Sequence, residues 1–507
     1  MADAIIEKIT AEADGEEAGK HSITLMAQRA VLDVEVVFLN DIVTQLWPNI
    51  NVAGSQMIKE IADPMFKQML PGPLASLHFT KIDLGTVPIR ISKVAATKTE
   101  TKGINLEMNV EWDGKCDVTL DGNMIPELGV KSVQLKGRLS VLLCPLTNVI
   151  PLIGAAQFSF INPPLLKLDF TGAAQVADLS LIDGAVRRVI LSIISSMAVL
   201  PNRYLYKVDA NNDYFKTYLY PQGMLRVTVE KAYGFAEEAK SSAKKLFSKI
   251  TRAAPDTYVK CRVGAEPERK TAVKNNTTSP AWNETYDFVV SDLDQFVEFN
   301  VLDDDVGEDD EVGIAITTVR DILAVGGRQE LPLMNRGQET GGKLAVSCQY
   351  FELVPEDSSL SASEHSGDGT MGGIATILIA SAFDVKGERS KLKPSVKIFW
   401  GEKHHLQTVV QTDYPGTDIN NPSFDQPFRV PVTPDLVGKS FRLVLLDGDK
   451  EIGAVDVPYE DVVQAEHMTF QGKLDVGGGT AVRASIRLQG VKAASIQQAV
   501  LPERQKQ

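Results

Sequence analysis

The stretch Ile104–Trp112 reads INLEMNVEW, with apolar side chains at Ile104, Leu106, Met108, Val110 and Trp112 and polar ones at every position between. Successive strand residues point to opposite faces of a sheet, so this is a strand with one apolar and one polar face. The same period of two returns at Val133 and Leu135, then at Leu139, Val141 and Leu143. Two shorter segments share it, Phe158 with Phe160, and Leu166 with Leu168 and Phe170. Helical spacing brackets these strands. On the N-terminal side Phe38, Leu39, Ile42, Val43, Leu46 and Trp47 recur at three and four, which predicts a helix ended by Pro48. Met57, Ile58, Ile61, Met65, Phe66 and Met69 predict a second helix, and Leu179–Leu200 a last one that stops at Pro201. Residues 31–210 therefore read as one α+β domain around a long antiparallel sheet. Periodicity leaves the apolar face open to two readings: covered by the domain's own helices, or partly uncovered for a ligand.

Beyond this domain the pattern changes to short alternating strands separated by turn residues, over 219–354 and again over 372–491. Two β-sandwiches are expected there. Residues 355–371 are rich in Ser, Gly and acids and read as a flexible linker, with 1–30 an N-terminal segment and 492–507 a tail. A chain of 507 residues has room for such a set, since one core seldom extends beyond ~250–300 residues.

Composition excludes several functions. A net charge of −14 lacks the basic footprint that nucleic acid requires. Cys116, Cys144, Cys261 and Cys348 are widely spaced and form no C-x-x-C pair, as expected of reduced thiols on the cytosolic side. Met1–Lys20 carries six acids against two lysines and no apolar run, and Val189–Leu200 is too short to span a bilayer. Membrane contact is thus expected to be peripheral. Enzyme signatures are missing: there is no G-x-S-x-G, P-loop or H-E-x-x-H. A G-x-G-x-x-G at Gly367–Gly372 falls within the linker, without the strand and helix that a dinucleotide fold places around it.

Five segments of the first domain carry a resemblance: EVVFLNDIVTQLWP at Glu35–Pro48, IDLGTVPIRI at Ile82–Ile91, PLTNVIPLIG at Pro145–Gly154, FSFINPPLLKLDFTG from Phe158, and VLPNRY from Val199. In this order they resemble the SMP domain of extended synaptotagmins, tricalbins and plant synaptotagmins. GMLRVTVE from Gly223, PDTYVK from Pro255, TAVKNNTTSPAWNETYDF from Thr271 and VLDDDVGEDDEVG ending at Gly313 resemble a C2 domain, and 372–491 a divergent second one. The resemblance implies a TULIP-type tube whose apolar groove carries glycerophospholipid acyl chains between membranes, followed by C2 sandwiches that dock on anionic membrane. It also implies an SMP-mediated homodimer and a location at membrane contacts, such as those between endoplasmic reticulum and plasma membrane. The family's N-terminal membrane hairpin has no counterpart in this sequence. Groove candidates are Leu106, Met108, Val110, Leu139, Val141, Phe158, Phe160, Leu168 and Phe170. Besides transfer, a tether without bound lipid and a lipid-modifying enzyme are the readings to separate.

Two loops of the first C2 domain bear on docking. Calcium takes six to eight oxygen ligands, and Asp303, Asp305, Asp309 and Asp310 crowd one loop, with Asp256 where the family's first calcium loop supplies an aspartate. Five carboxylates brought together repel unless a cation neutralises them. The alternative is a solvated acidic loop. The second C2 domain keeps Asp384, Asp447 and Asp449 but has a short third loop, so no calcium is expected there. In the insertion from Ala236 to Pro255, Lys240, Lys244, Lys245, Lys249 and Arg252 accompany Leu246, Phe247 and Ile250 in helical phase. That helix either docks on anionic lipid or lies solvated along the sandwich.

Overall fold

The computed structural model describes residues 17–70, 72–99, 103–123, 125–171, 179–209, 214–234, 254–305, 309–335, 337–354, 372–402, 404–413 and 417–494. It divides into two units, residues 1–210 and 211–507.

The first unit opens with helix α1 (Glu17–Met69), followed by β1 (His78–Asp83), β2 (Arg90–Lys98), β3 (Ile104–Gly122), β4 (Ile125–Leu143), β5 (Ala155–Phe160) and β6 (Leu165–Thr171). Helix α2 (Leu179–Ala198) and β7 (Tyr204–Lys207) complete it. Strands β3 and β4, 19 residues each, form the spine, an antiparallel pair flanked by the shorter strands. The two helices expected around Pro48 are instead one 53-residue helix with Pro48 and Pro64 inside it. Proline removes a helical N–H and disfavours continuation, but packing on both sides of Pro48 overrides that preference. Just before it the Trp47 ring meets Trp112 with centroids 5.7 Å apart, and its indole N–H donates to the Gly85 carbonyl at 2.9 Å. Just after it the Asn51 side chain accepts from the Leu84 N–H at 2.8 Å. Gly85 has to be glycine: its φ is +75°, and a Cβ there would lie 1.9 Å from the Lys115 carbonyl oxygen.

The unit's core is Phe66, Leu70, Phe79, Leu120, Leu128 and Val130 with Val186, Val189 and Ile193 of α2. The stripe expected on the first helix is only partly inward: Trp47 is buried and Val43 packs beside it, whereas Phe38, Ile42 and Leu46 are exposed.

The second unit holds two sandwiches. The first comprises β8 (Gly223–Tyr233), β9 (Thr257–Val263), β10 (Arg269–Lys270), β11 (Ala281–Val290), β12 (Phe296–Asp303) and β13 (Asp310–Thr318). After a short helix α3 (Val319–Ala324) come β14 (Arg328–Asn335) and β15 (Gln338–Leu353). The second comprises β16 (Gly373–Phe383), β17 (Pro394–Trp400), β18 (His404–Gln407), β19 (Ser423–Val432), β20 (Phe441–Asp447) and β21 (Lys450–Val457). Helix α4 (Tyr459–Gln464), β22 (Thr469–Gly477) and β23 (Thr480–Ala493) close it. Val-rich inward faces fill both cores, around Val259, Phe299 and Val346 in the first and Ile377, Trp400 and Phe441 in the second. The sandwiches are joined edge to edge: Phe351, Glu352 and Leu353 of β15 pair with Ala493, Lys492 and Val491 of β23. An apolar plug of Met224, Val289, Phe351, Ile374 and Val491 fills the joint.

Candidate functional site

The alternation on β3 and β4 becomes a two-faced sheet because the register aligns the two patterns. Leu106 stands opposite Val141, which stands opposite Phe158; Met108 stands opposite Leu139, which stands opposite Phe160. These six form an apolar row across three strands, extended by Ile104 opposite Leu143. Five of the six are half-buried and Phe158 is 36% exposed, and none belongs to a buried core cluster. Val110, next along β3, is buried, and Trp112 is capped by Trp47. Leu168 and Phe170 share the face but sit under α2, packed against its core residues. The nine groove candidates therefore divide: six lie on a half-buried row outside the core clusters of the described residues, Val110 at its inner end, and Leu168 with Phe170 in the covered core.

The opposite face of the same strands is polar and bonded. Ser140, only 1% exposed, donates to Asn105 at 2.6 Å and accepts from Arg203 at 3.2 Å. Arg138 pairs with Glu107, and Ser159 donates to the Asn202 carbonyl at 2.8 Å. A one-residue slip would exchange these faces and bury charged groups unpaired, so the network locks the register and with it the apolar row. Beside Trp112, where α1 crosses the sheet, a cleft of ≈ 670 Å³ opens between Asn40 and Thr44 on the helix and Arg90, Trp112 and Lys136 below.

At one end of the first sandwich the acidic residues are tied into hydrogen bonds. The Asp256 N–H donates to Asp303 at 2.7 Å, and Asp256 accepts from the Asn276 N–H at 2.6 Å. Asp309 accepts from the Tyr258 hydroxyl at 2.5 Å and from the Asp305 N–H at 3.2 Å. The Tyr258 bond, then that N–H, holds the Asp309 carboxyl below its ordinary range, while burial and Asp309 push Tyr258 upward. Asp310 starts β13, paired with Asp303. The donors suit calcium in kind, hard oxygen. Among the described residues no group of three carboxylate, cysteine or histidine side chains is arranged to hold a metal ion. In the second sandwich Asp447 accepts from the Lys393 N–H at 2.8 Å. Lys240, Lys244, Lys245, Lys249 and Arg252 lie outside the described residues.

Sequence reading missed a basic and aromatic cluster on the second sandwich. Lys473 of β22 stands opposite Arg483 of β23 in the ladder, with Lys473 4.2 Å from the Phe383 ring centre and Arg483 4.9 Å from that of Phe215. Its signal was the spaced Arg483, Arg487 and Lys492 of the last strand, which only the β22 pairing makes a cluster. All four cysteines are free and buried, and no helix among the described residues is long and apolar enough to cross a membrane.

A sheet with a half-buried apolar row outside the described core clusters, followed by two sandwiches, is the arrangement expected of a lipid-binding module joined to C2 domains. Residues 33–208 match the family model of the synaptotagmin-like mitochondrial-lipid-binding domain, and residues 223–333 and 373–474 that of the C2 domain. Extended synaptotagmin-2 of Mus musculus is 25% identical over 87% of this chain and 52% of its own length. Synaptotagmin-4 of Arabidopsis thaliana is 30% identical over 56% of this chain and 50% of its own. The chain thus spans about half the length of the curated relatives it matches. The solved SMP–C2A–C2B structure of extended synaptotagmin 2 superposes with a TM-score of 0.60 at 23% identity, over 90% of this chain and 99% of that one, a likeness of fold. The chain is an SMP-domain protein with two C2 domains, and its homologues are extended synaptotagmins and a plant synaptotagmin.

Proposed function

We propose that this chain moves glycerophospholipid between apposed membranes, its SMP domain holding the acyl chains and its C2 domains docking on anionic membrane. One observation carries the reading: the half-buried row of Leu106, Met108, Leu139, Val141, Phe158 and Phe160, outside the described core clusters and backed by a polar network. A diacyl lipid exposes about thirty methylenes, each stabilised by ~0.8 kcal/mol on burial. Such cargo needs an apolar track rather than a few hydrogen bonds, and this row supplies one. The homodimer implied by the resemblance belongs to the same proposal. The role is carriage and tethering at contact sites, peripheral to the bilayer, and non-enzymatic.

Organic extraction of the purified chain should yield stoichiometric glycerophospholipid. Leu139→Glu with Val141→Glu places two charges in the row and should abolish that lipid while leaving the circular dichroism intact. Wild-type chain free of lipid would refute carriage and leave a tether.

A further inference from the structure

Strands β4 and β5 are joined by a tip, Pro145–Gly154, that the row of acyl contacts does not use. Four of its apolar side chains point to solvent: Leu146 is 45% exposed, Val149 71%, Ile150 88% and Leu152 54%; Thr147 and Asn148 are its polar residues. From Leu139 to Leu166 the chain holds no charged residue, although 23% of the whole sequence is charged. The base of the tip is closed by its own hydrogen bonds. Leu146 bridges to Ile153, the Gly154 N–H donates to the Pro145 carbonyl at 2.8 Å and the Thr147 N–H to that of Leu152 at 2.8 Å. The Leu152 N–H and the Thr147 hydroxyl both donate to the Val149 carbonyl, at 2.7 and 2.9 Å. These bonds close the base of the tip and reduce the number of backbone groups that would enter hydrocarbon without a partner.

We propose that this tip is a lip that inserts into the acyl layer of a bilayer, setting the end of the apolar row against the lipid it takes up. This rests on the carrier reading. Two features select a bilayer rather than a second copy of the chain. The four exposed side chains offer on the order of 500 Å², short of the ~800 Å² that each partner brings to a standard protein interface. An acyl layer asks for no matching surface, only apolar area without charge. The lip is also continuous with the track: Leu143, the last residue of β4, precedes it and stands opposite Ile104 at the end of the row. An acyl chain rising past Val149 and Ile150 would meet Leu143, then Val141 and Leu139.

The test uses the full chain. All four native cysteines are buried, so Ile150→Cys accepts a polarity-sensitive dye at the tip alone. On phosphatidylcholine vesicles with a minor fraction of phosphatidylserine, dye emission should shift to the blue and be quenched by bromines on the acyl chains. Water-like emission on these vesicles, whether or not the chain sediments with them, overturns the lip. So does a blue shift that appears without vesicles and grows with protein concentration, since a second copy would then cover the tip. Val149→Asp with Ile150→Asp should slow vesicle-to-vesicle transfer about tenfold, as buried aliphatic groups are replaced by charges, with co-purified lipid unchanged. Transfer at the wild-type rate overturns the lip. Loss of the co-purified lipid from this variant would make the tip part of the holding site and overturn the lip, whereas wild-type chain free of lipid would count against the carrier reading and leave the dye to judge the lip.

Discussion

At the residue scale, the hydrogen bonds of the acidic loop set what a cation would meet. Asp256, Asp303 and Asp309 each already accept a hydrogen bond, which leaves fewer carboxylate lone pairs for calcium. Tyr258 is the decisive competitor. Its hydroxyl occupies one oxygen of Asp309, and the Lys270 ammonium lies 3.6 Å from its ring centre. A hydrogen bond to a charged group contributes about 1.5–3 kcal/mol, and 1.4 kcal/mol is tenfold in affinity. Tyr258→Phe should therefore tighten calcium binding by roughly ten- to a hundredfold, whereas Asp303→Asn with Asp305→Asn should abolish it. Calorimetric titration of the three proteins checks both. Weaker binding by Tyr258→Phe would make Tyr258 a support of the loop rather than a competitor, and an absence of heat in the unsubstituted chain would leave the loop as acidic surface.

At the scale of elements, the width of the apolar row depends on one missing side chain. Gly137 stands opposite Val110 within the inward pattern of β4, and a Cβ there would lie 2.8 Å from the Phe160 ring and 3.2 Å from Pro164. The glycine lets Phe160 lie across its strand. Gly137→Val should displace that ring and destabilise the domain by about 1–3 kcal/mol, the usual cost of overpacking. A thermal melt would register the loss, and an unchanged midpoint would mean that Phe160 moves freely. Elements of this kind were unequally legible in the sequence. Ile104–Trp112 declared its strand because five apolar side chains alternate with four polar ones. The same strand runs on to Gly122, where Gly114 and Cys116 weaken the alternation, so its full length was hidden. Strands β1 and β2 lie at the margin of the sheet and expose most of their side chains, which leaves little periodicity to read. The helix through Pro48 was misread because its continuity depends on Gly85, Leu84 and Trp112, remote in the chain. The groove candidates were found as a face, but which part α2 covers is a matter of packing, beyond what a period of two conveys.

At the scale of the molecule, the two sandwiches behave as one body because β15 and β23 share a ladder over an apolar plug. Near this body's interior sits an acid, Glu266, in the turn between β9 and β10. Burial pushes its carboxyl up from 4.5 to about 7, with Arg429 of β19 and Arg269 pulling the other way. A raised acid binds its proton more tightly folded than unfolded, so its contribution is most favourable below about 4.5 and is lost as pH rises through about 7. Glu266→Gln should flatten the slope of melting temperature between those values, seen by scanning both proteins over that range. Parallel curves would show that Glu266 titrates normally. The shared ladder has a further consequence, for covalent continuity. The last strand of the chain, not only the peptide running through 355–371, returns the second sandwich to the first: the Val354 N–H donates to the Gly490 carbonyl at 3.0 Å and the Ala494 N–H to that of Tyr350 at 2.9 Å. A protease that severed the polypeptide between residues 355 and 371 would divide the chain into two fragments without separating the two domains.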